Sequence, residues 1–479
     1  MGSMTKTILE LLADLDAGRT TAVKLAEESL AKLEEAQPTY HVYINLIRER
    51  ALQRAAEVDA ARKAGKPVGR LAGVPFVTKD NFLTFGTVTT AAAKMLENFE
   101  APYQATAIER LESEGAILIA KVNLDAFAHG SSTENSYYGP TKNPHDPTRV
   151  PGGTSGGSAA AVALQTVPFA VGSDTGGSIR QPASFCGVVG IRPTYGLVSR
   201  YGVVAMASST DTIGSLAPNV EDAALVLDIM AGRDERDSTT IEKDPAGYLP
   251  SSQFPVPSLR IGLVKEYMSD DVEPEVRAAI KKRAAELEQL GHTVQEVSLP
   301  SLDLALAIYY IVVPAEISSN LSRYDGIKYG LSAEAAKTLD EVYGLTRDQG
   351  FMAENKRRIL IGTHVLSSGY YDAYYRKAQT ARTMLINEFK KTFELCDVLI
   401  GPVAPTTAFK LGENTEDPLR MYLTDVMTVA VSLAGLPAIS LPSGKDGKGL
   451  PIGMQLIGKQ KDDALLLALA KQLQEVRRG

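Results

Sequence analysis

The sequence predicts an α/β fold, a β-sheet wrapped by helices, and two features of its texture carry that prediction. From Leu71 onward short apolar runs alternate with helical segments: Gly73 to Val77, Ala116 to Val122, Val167 to Val171, Val188 to Ile191, Leu259 to Val264, Val398 to Ile400, Ala438 to Leu441 and Ile452 to Ile457. Runs of that length bounded by turn residues suit buried strands. Between about 300 and 395 the alternation stops, and helical stretches follow one another with no convincing strand between them.

The elements follow in order. Met1-Gly2-Ser3 before Met4 resembles a cloning remnant and is left out, so the domain is read as 4–479. Residues 6 to 35 read as two amphipathic helices, the first with Ile8, Leu11, Leu12 and Leu15 on one face, the second with Val23, Leu25, Leu30 and Leu33 after the capping pair Thr20-Thr21. An Ala/Arg/Glu-rich helix from about 45 to 64 completes an N-terminal helical segment, 6–65. The α/β core then occupies 66–299 and 396–479, interrupted by a helical insertion at about 300–395 that holds Tyr370-Tyr371-Asp372-Ala373-Tyr374-Tyr375.

Composition narrows the function classes. An apolar content of 44% over 479 residues supplies a sizeable core. A net charge of −7 argues against gripping nucleic acid by bulk charge, which needs clustered Lys and Arg. Cys186 and Cys396 lie far apart and form neither a disulfide framework nor a CxxC metal motif, so two buried free thiols in a reducing cytoplasm are expected. No stretch approaches the ~18 uninterrupted apolar residues of a membrane span, and a cytoplasmic protein is expected.

The densest chemical signal lies between Arg149 and Arg192, where two glycine-serine clusters, Gly152 to Ser158 and Gly172 to Ser178, flank one short helix and one strand. Glycines let backbone amides approach a ligand closely, as an oxyanion or phosphate nest requires. A phosphate loop fails because Ser158 follows Gly157 where GxxxxGK needs lysine. Gly153-Thr154-Ser155-Gly156-Gly157 satisfies the GxSxG nucleophile elbow, but the preceding His145 to Gly152 is no apolar strand, and His292 and His364 are poor candidates for the base. Plain flexible turns are the bland alternative. The remaining reading uses the hydroxyls: Ser178 attacks a carbonyl while the amides of Thr175, Gly176 and Gly177 face the oxyanion. With histidine set aside, the candidate to take its proton is Lys79, at the end of the strand Gly73-Val74-Pro75-Phe76-Val77-Thr78-Lys79. To act as a base near neutrality that lysine must lose about three pKa units, or ~4 kcal/mol of differential solvation, which burial can supply.

These motifs resemble the amidase signature family, whose Ser-cisSer-Lys triad occupies two glycine-serine clusters and an upstream GxPxxxKD strand end. Further blocks, Gly130-Ser131-Ser132-Thr133-Glu134-Asn135-Ser136, Arg323-Tyr324-Asp325-Gly326 and Ser367-Ser368-Gly369-Tyr370-Tyr371-Asp372-Ala373-Tyr374, are similar to its tRNA-dependent amidotransferase branch. The resemblance implies a single large domain with a central mixed, mostly parallel twisted sheet covered by helices on both faces. It implies Ser178 as acyl-forming nucleophile, Lys79 as base, Thr175 to Ser178 as oxyanion loop, and Ser155, Asp174 and Arg180 as supporting residues. Tyr309, Arg358 and Asp425 would hold glutamine, Arg358 on the α-carboxylate and Asp425 on the α-ammonium. The relay position 24 residues before Ser178 is Thr154, a departure from serine that keeps the hydroxyl. No metal and no cofactor are implied in this chain, since ATP and Mg would be used by a B-type kinase/transamidase partner. That partner, holding most of the tRNA, and a small C-type subunit would complete a heterotrimer. A free-standing amidase of small amides, and an assembly subunit that has lost catalysis, remain as alternatives.

Overall fold

A computed structural model describes residues 6–249 and 256–476, so the cloning-remnant reading of residues 1–3 lies outside the described residues. The strands are β1 (Tyr43–Leu46), β2 (Pro75–Lys79), β3 (Ile117–Val122), β4 (Phe169–Asp174), β5 (Val189–Arg192), β6 (Thr212–Ala217), β7 (Arg260–Val264), β8 (Thr293–Val297), β9 (Val398–Pro402), β10 (Ala438–Lys445) and β11 (Pro451–Ile457). They form one sheet in the order β1-β3-β2-β4-β6-β5-β10-β11-β9-β7-β8.

The sheet is mixed, as expected, but its parallel share is smaller than expected. Parallel pairing is confined to two blocks, β3-β2-β4 and β9-β7-β8, while β1-β3 and every pair from β4 through β6, β5, β10 and β11 to β9 are antiparallel. The expectation of a mostly parallel sheet therefore needs correction. No α-helix separates β5 from β6, and β10 and β11 form a hairpin across Asp446-Gly447-Lys448-Gly449; connections without a crossover helix favour antiparallel neighbours.

Helices cover both faces. Side chains of successive strand residues point to opposite sides of a sheet. Accordingly Phe76, Phe169 and Val171 enter a core with helices Thr106–Ser113, Val220–Met230, Pro274–Gln289 and Asp463–Val476. Their neighbours Val77 and Ala170 enter another, with Ala22–Tyr40, Arg48–Lys63 and Gly156–Ala163. The first helix, Ile8–Asp16, is capped by Thr7, and the second by Thr21, whose hydroxyl accepts from the Lys24 amide.

The helical stretch of the insertion is borne out by Ala305–Leu321, Leu339–Gly350, Ala353–Leu366 and Lys377–Leu395, after which the chain returns to the sheet at Val398. Pro300–Leu321 is the one helical segment among the described residues long and apolar enough to cross a membrane. It is interrupted by Asp303 and Glu316, and its Ile308, Val312, Val313 and Ile317 pack with Leu385 and Phe389 in a third core. Three strands escaped the sequence pattern for identifiable reasons. β1 is four residues long inside a helical segment, β6 is broken by Gly214 and Ser215, and the outermost strand β8 is largely exposed and reads Thr-Val-Gln-Glu-Val.

Candidate active site

The parallel block β3-β2-β4 delivers its chemistry to one end of the sheet. Lys79 is the last residue of β2 and Asp174 the last of β4, in register through Thr78 and Val171, while Val122 ends β3 just before Asn123 and Asp125. In parallel strands the carboxyl ends coincide, and the loops leaving them converge. The β4 exit holds Ser178, and the start of helix Gly156–Ala163 holds Thr154 and Ser155. The Gly153–Thr154 peptide is cis, matching the geometry implied at this relay position. Gly153 has no room for a side chain: a Cβ there would lie 2.3 Å from the Asp125 carboxylate.

Lys79 is fully buried. Its Nζ donates to Thr154 Oγ1 at 2.5 Å and to Ser173 Oγ at 3.0 Å, with the Ser173 carbonyl at 3.4 Å. Burial, only partly offset by the charges of Asp125, Asp174 and Asp211, brings its pKa down to about 7. Asp125 is itself pushed up to about 6 by burial, despite accepting from the Thr133 and Asn135 amides. An amine in this state is half neutral near pH 7, as a general base requires. Ser155 ties the two glycine-serine clusters together: its amide donates to the Ser178 carbonyl at 3.0 Å and its hydroxyl to the Ser173 carbonyl at 3.1 Å. No hydrogen bond to the Ser178 hydroxyl is present among the described residues, and Ser178 keeps 8% exposure where Lys79 and Thr154 have none.

Asp174 builds the loop that carries Ser178. Its carboxylate accepts from Arg180 Nε and Nη2, both at 3.1 Å, from Arg192 Nη1 at 3.0 Å, and from the amides of Gly177 and Ile179. Burial opposes its charge, but Arg180 and Arg192 hold it well below the usual carboxylate range. One expectation changes here. The Gly177 amide is occupied by Asp174 at 3.0 Å and cannot serve as an oxyanion donor, whereas no partner to the Gly176 or Ser178 amide is present among the described residues. Thr175 is anchored through its hydroxyl to Asp211 at 2.7 Å. The glycines answer to crowding: a Cβ at Gly176 would meet the Tyr309 hydroxyl at 2.6 Å, and one at Gly177 the Thr428 hydroxyl at 2.2 Å.

That contact places Tyr309, one of the three residues expected to hold substrate, against the Ser178 loop, and Arg358 and Asp425 lie within electrostatic reach of Tyr309. Tyr309 comes from helix Ala305–Leu321, Arg358 from Ala353–Leu366, and Asp425 from the turn after Pro418–Leu423; all are buried. Burial lifts the Asp425 carboxyl to about 7, against a 2.6 Å hydrogen bond from the Ser131 hydroxyl and the Arg358 charge. Arg358 donates from Nε to Glu354 at 2.8 Å and lies 5.2 Å and 5.4 Å from the Tyr310 and Tyr422 ring centroids, leaving Nη2 without a partner among the described residues. Beside it, a cavity of about 220 Å³ is lined by Asp125, Ser132, Glu354 and Tyr422 among others.

The structure thus gathers every site residue named from the sequence. It adds Ser173, Asn81 and Asp125, which sequence reasoning passed over. Asn81 Nδ2 donates to Ser173 Oγ at 3.0 Å, fixing the hydroxyl that steadies Lys79. Ser173 lay inside the second glycine-serine cluster, but nothing in one sequence tells which serine of a cluster faces the lysine.

The family model described as Amidase matches residues 24–467. The chain is 52% identical over 463 residues, 97% of its length and 96% of the relative's, to the A subunit of the glutamyl-tRNA(Gln) amidotransferase of Thermosynechococcus vestitus. Among solved structures, the A subunit of the glutamyl-tRNA(Gln) amidotransferase of Thermotoga maritima superimposes with a TM-score of 0.80 at 38% identity, covering 98% of this chain and 94% of that one. A component of a vestigial protein complex, described as revealing the origins of an s-triazine catabolic enzyme, gives a TM-score of 0.86 at 33% identity and covers 98% of both chains. With the buried lysine, the hydroxyl beside it and the glycine-cradled serine in one place, the chain belongs to the amidase signature family.

Proposed function

We propose that this chain is the glutaminase subunit of a tRNA-dependent amidotransferase, releasing ammonia from glutamine for a partner subunit that amidates Glu-tRNA(Gln) or Asp-tRNA(Asn). The observation that carries the chemistry is Lys79: fully buried, 2.5 Å from Thr154, and brought down to about 7. Near-full-length similarity to the A subunits of such amidotransferases supports the substrate and the setting.

In this reading Ser178 Oγ attacks the γ-carboxamide carbon of glutamine. Its proton passes to Thr154 Oγ1 as the Thr154 proton passes to Lys79 Nζ; contacts of this kind often tighten only with substrate bound. The tetrahedral oxyanion takes hydrogen bonds from free amides of the Thr175 to Ser178 loop. Collapse breaks the C–N bond, and the Lys79 ammonium returns a proton through Thr154 to the leaving nitrogen, so ammonia departs. Water then hydrolyses the γ-glutamyl ester by the same route in reverse, yielding glutamate and free Ser178. The Arg358 guanidinium receives the α-carboxylate, and Asp425, ionised on pairing, the α-ammonium.

In this reading the chain itself uses no cofactor. ATP and Mg serve the B-type partner, which also holds most of the tRNA, and a small C-type subunit completes a cytoplasmic heterotrimer. Glutaminase assays on Ser178→Ala and Lys79→Ala chains, co-purified with their subunits, test the assignment. Ammonia release should fall to background in both, and undiminished release from either removes it.

A further inference from the structure

His129 has no part in the chemistry above, yet it is fully buried one residue before the glycine of the Gly130 to Ser136 block. Its protonation state is legible from its neighbours. The Asn355 side-chain amide is fixed at both ends: its oxygen accepts from the Met352 amide at 3.1 Å and its nitrogen donates to the Ala126 carbonyl at 2.8 Å. The same nitrogen lies 2.6 Å from His129 Nδ1, so Nδ1 must accept and the ring proton must sit on Nε2. That Nε2–H is buried and has no partner among the described residues.

It does not stand alone. Asn355 and Arg358 are three residues apart on helix Ala353–Leu366, hence on one face, and the Arg358 charge acts directly on His129. Arg358 Nη2 is likewise buried without a partner, as is the neighbouring Tyr310 hydroxyl. A buried donor left unpaired is costly, and several such donors around one guanidinium suit an acceptor that arrives from outside. The acceptor chemistry is that of a carboxylate, which takes hydrogen bonds on two oxygens beside a guanidinium.

We propose that His129, locked by Asn355 as the Nε2–H tautomer, shares the α-carboxylate of glutamine with Arg358 and thereby sets the preference for an amino acid amide over a simple amide. This rests on the glutaminase reading and adds to it a specificity-determining residue. A neutral donor suits the position, since burial and the adjacent Arg358 keep the ring uncharged.

The test compares kcat/KM for glutamine with that for 4-aminobutanamide, the same molecule without its carboxylate, in the chain co-purified with its subunits. His129→Met keeps bulk and removes the donor; it should lower the glutamine preference about tenfold or more, mainly through KM. His129→Gln offers an amide donor and should recover a substantial part. A preference in His129→Met equal to the parent's, or a Gln variant no better than Met, overturns the proposal. Should His129→Met fail to accumulate, the ¹⁵N-histidine spectrum of the Ser178→Ala chain decides, because only five histidines are present. The Nε2–H tautomer and a shift of its resonance on adding glutamine are expected; the opposite tautomer, or no shift, overturns it. If the parent protein fails to hydrolyse glutamine at all, the glutaminase reading itself falls, an outcome distinct from these.

Discussion

Asp174 and Asp425 are buried carboxylates of the same site in opposite surroundings. Asp174 is enclosed by two guanidiniums and two backbone amides, so its charge is secured by the protein itself. Asp425 receives the Ser131 hydroxyl at 2.6 Å and a long contact from Gln181 at 3.5 Å, and burial lifts it to about 7. The difference separates architecture from recognition. A polar network completed internally holds a loop in place, whereas one left incomplete marks where a ligand supplies the missing partner. Arg358, with one edge on Glu354 and Nη2 open, belongs with Asp425; Arg180, satisfied by Asp174, Gln455, Thr428 and Ser432, belongs with Asp174.

The largest expected effect concerns the group between these regions. Lys79→Met removes the base and a costly buried amine together, so glutaminase turnover should fall ~10²–10⁴-fold while the melting temperature holds or rises. A variant that kept its turnover would break the assignment of Lys79 to catalysis. Asp174→Asn should cost ~3–5 kcal/mol of stability, because it strips the counter-charge from two buried arginines. Chemical denaturation reads this directly, and a loss under ~1 kcal/mol would move Asp174 out of the architectural class.

Asp425→Asn should do the reverse, leaving stability nearly unchanged and raising KM for glutamine about ten- to a hundredfold, since it removes a carboxyl that is hydrogen-bonded by Ser131 but has no ion-pair partner among the described residues until the substrate ammonium arrives. A large stability loss there would erase the contrast. The pH profile sharpens it further. Only neutral Lys79 can accept a proton and burial brings it down to about 7, so kcat/KM should rise with pH below that value and level off above it. A profile already flat at pH 6 would mean that another group is the base. The smallest effect is Thr154→Ser, expected within ~fivefold of the parent because both residues supply one hydroxyl; a far larger gain would mean that the threonine methyl impairs the relay.

Much of this was written in local sequence. The amphipathic faces of the first two helices, the threonine cap of the second, the apolar runs of eight strands and the helical stretch from 300 to 395 depend on nearest neighbours in the chain, and each was legible. Ser178 was legible from the two glycine-serine clusters, and Lys79 only in combination with them and with the family motif that the strand end resembles.

What tertiary structure alone decided concerns partners distant in sequence. Strand directions at the sheet's centre followed from which strands became neighbours, with β5 pairing to β10 across more than 240 residues. The withdrawal of the Gly177 amide, the choice of Ser173 over other serines beside Lys79, and the tautomer of His129 imposed by Asn355 could not be read along the chain. A sequence fixes which donors and acceptors exist and the local turns they favour. Whether each is used up by the protein or left for a ligand depends on angstrom-scale meetings that only the packed chain brings about.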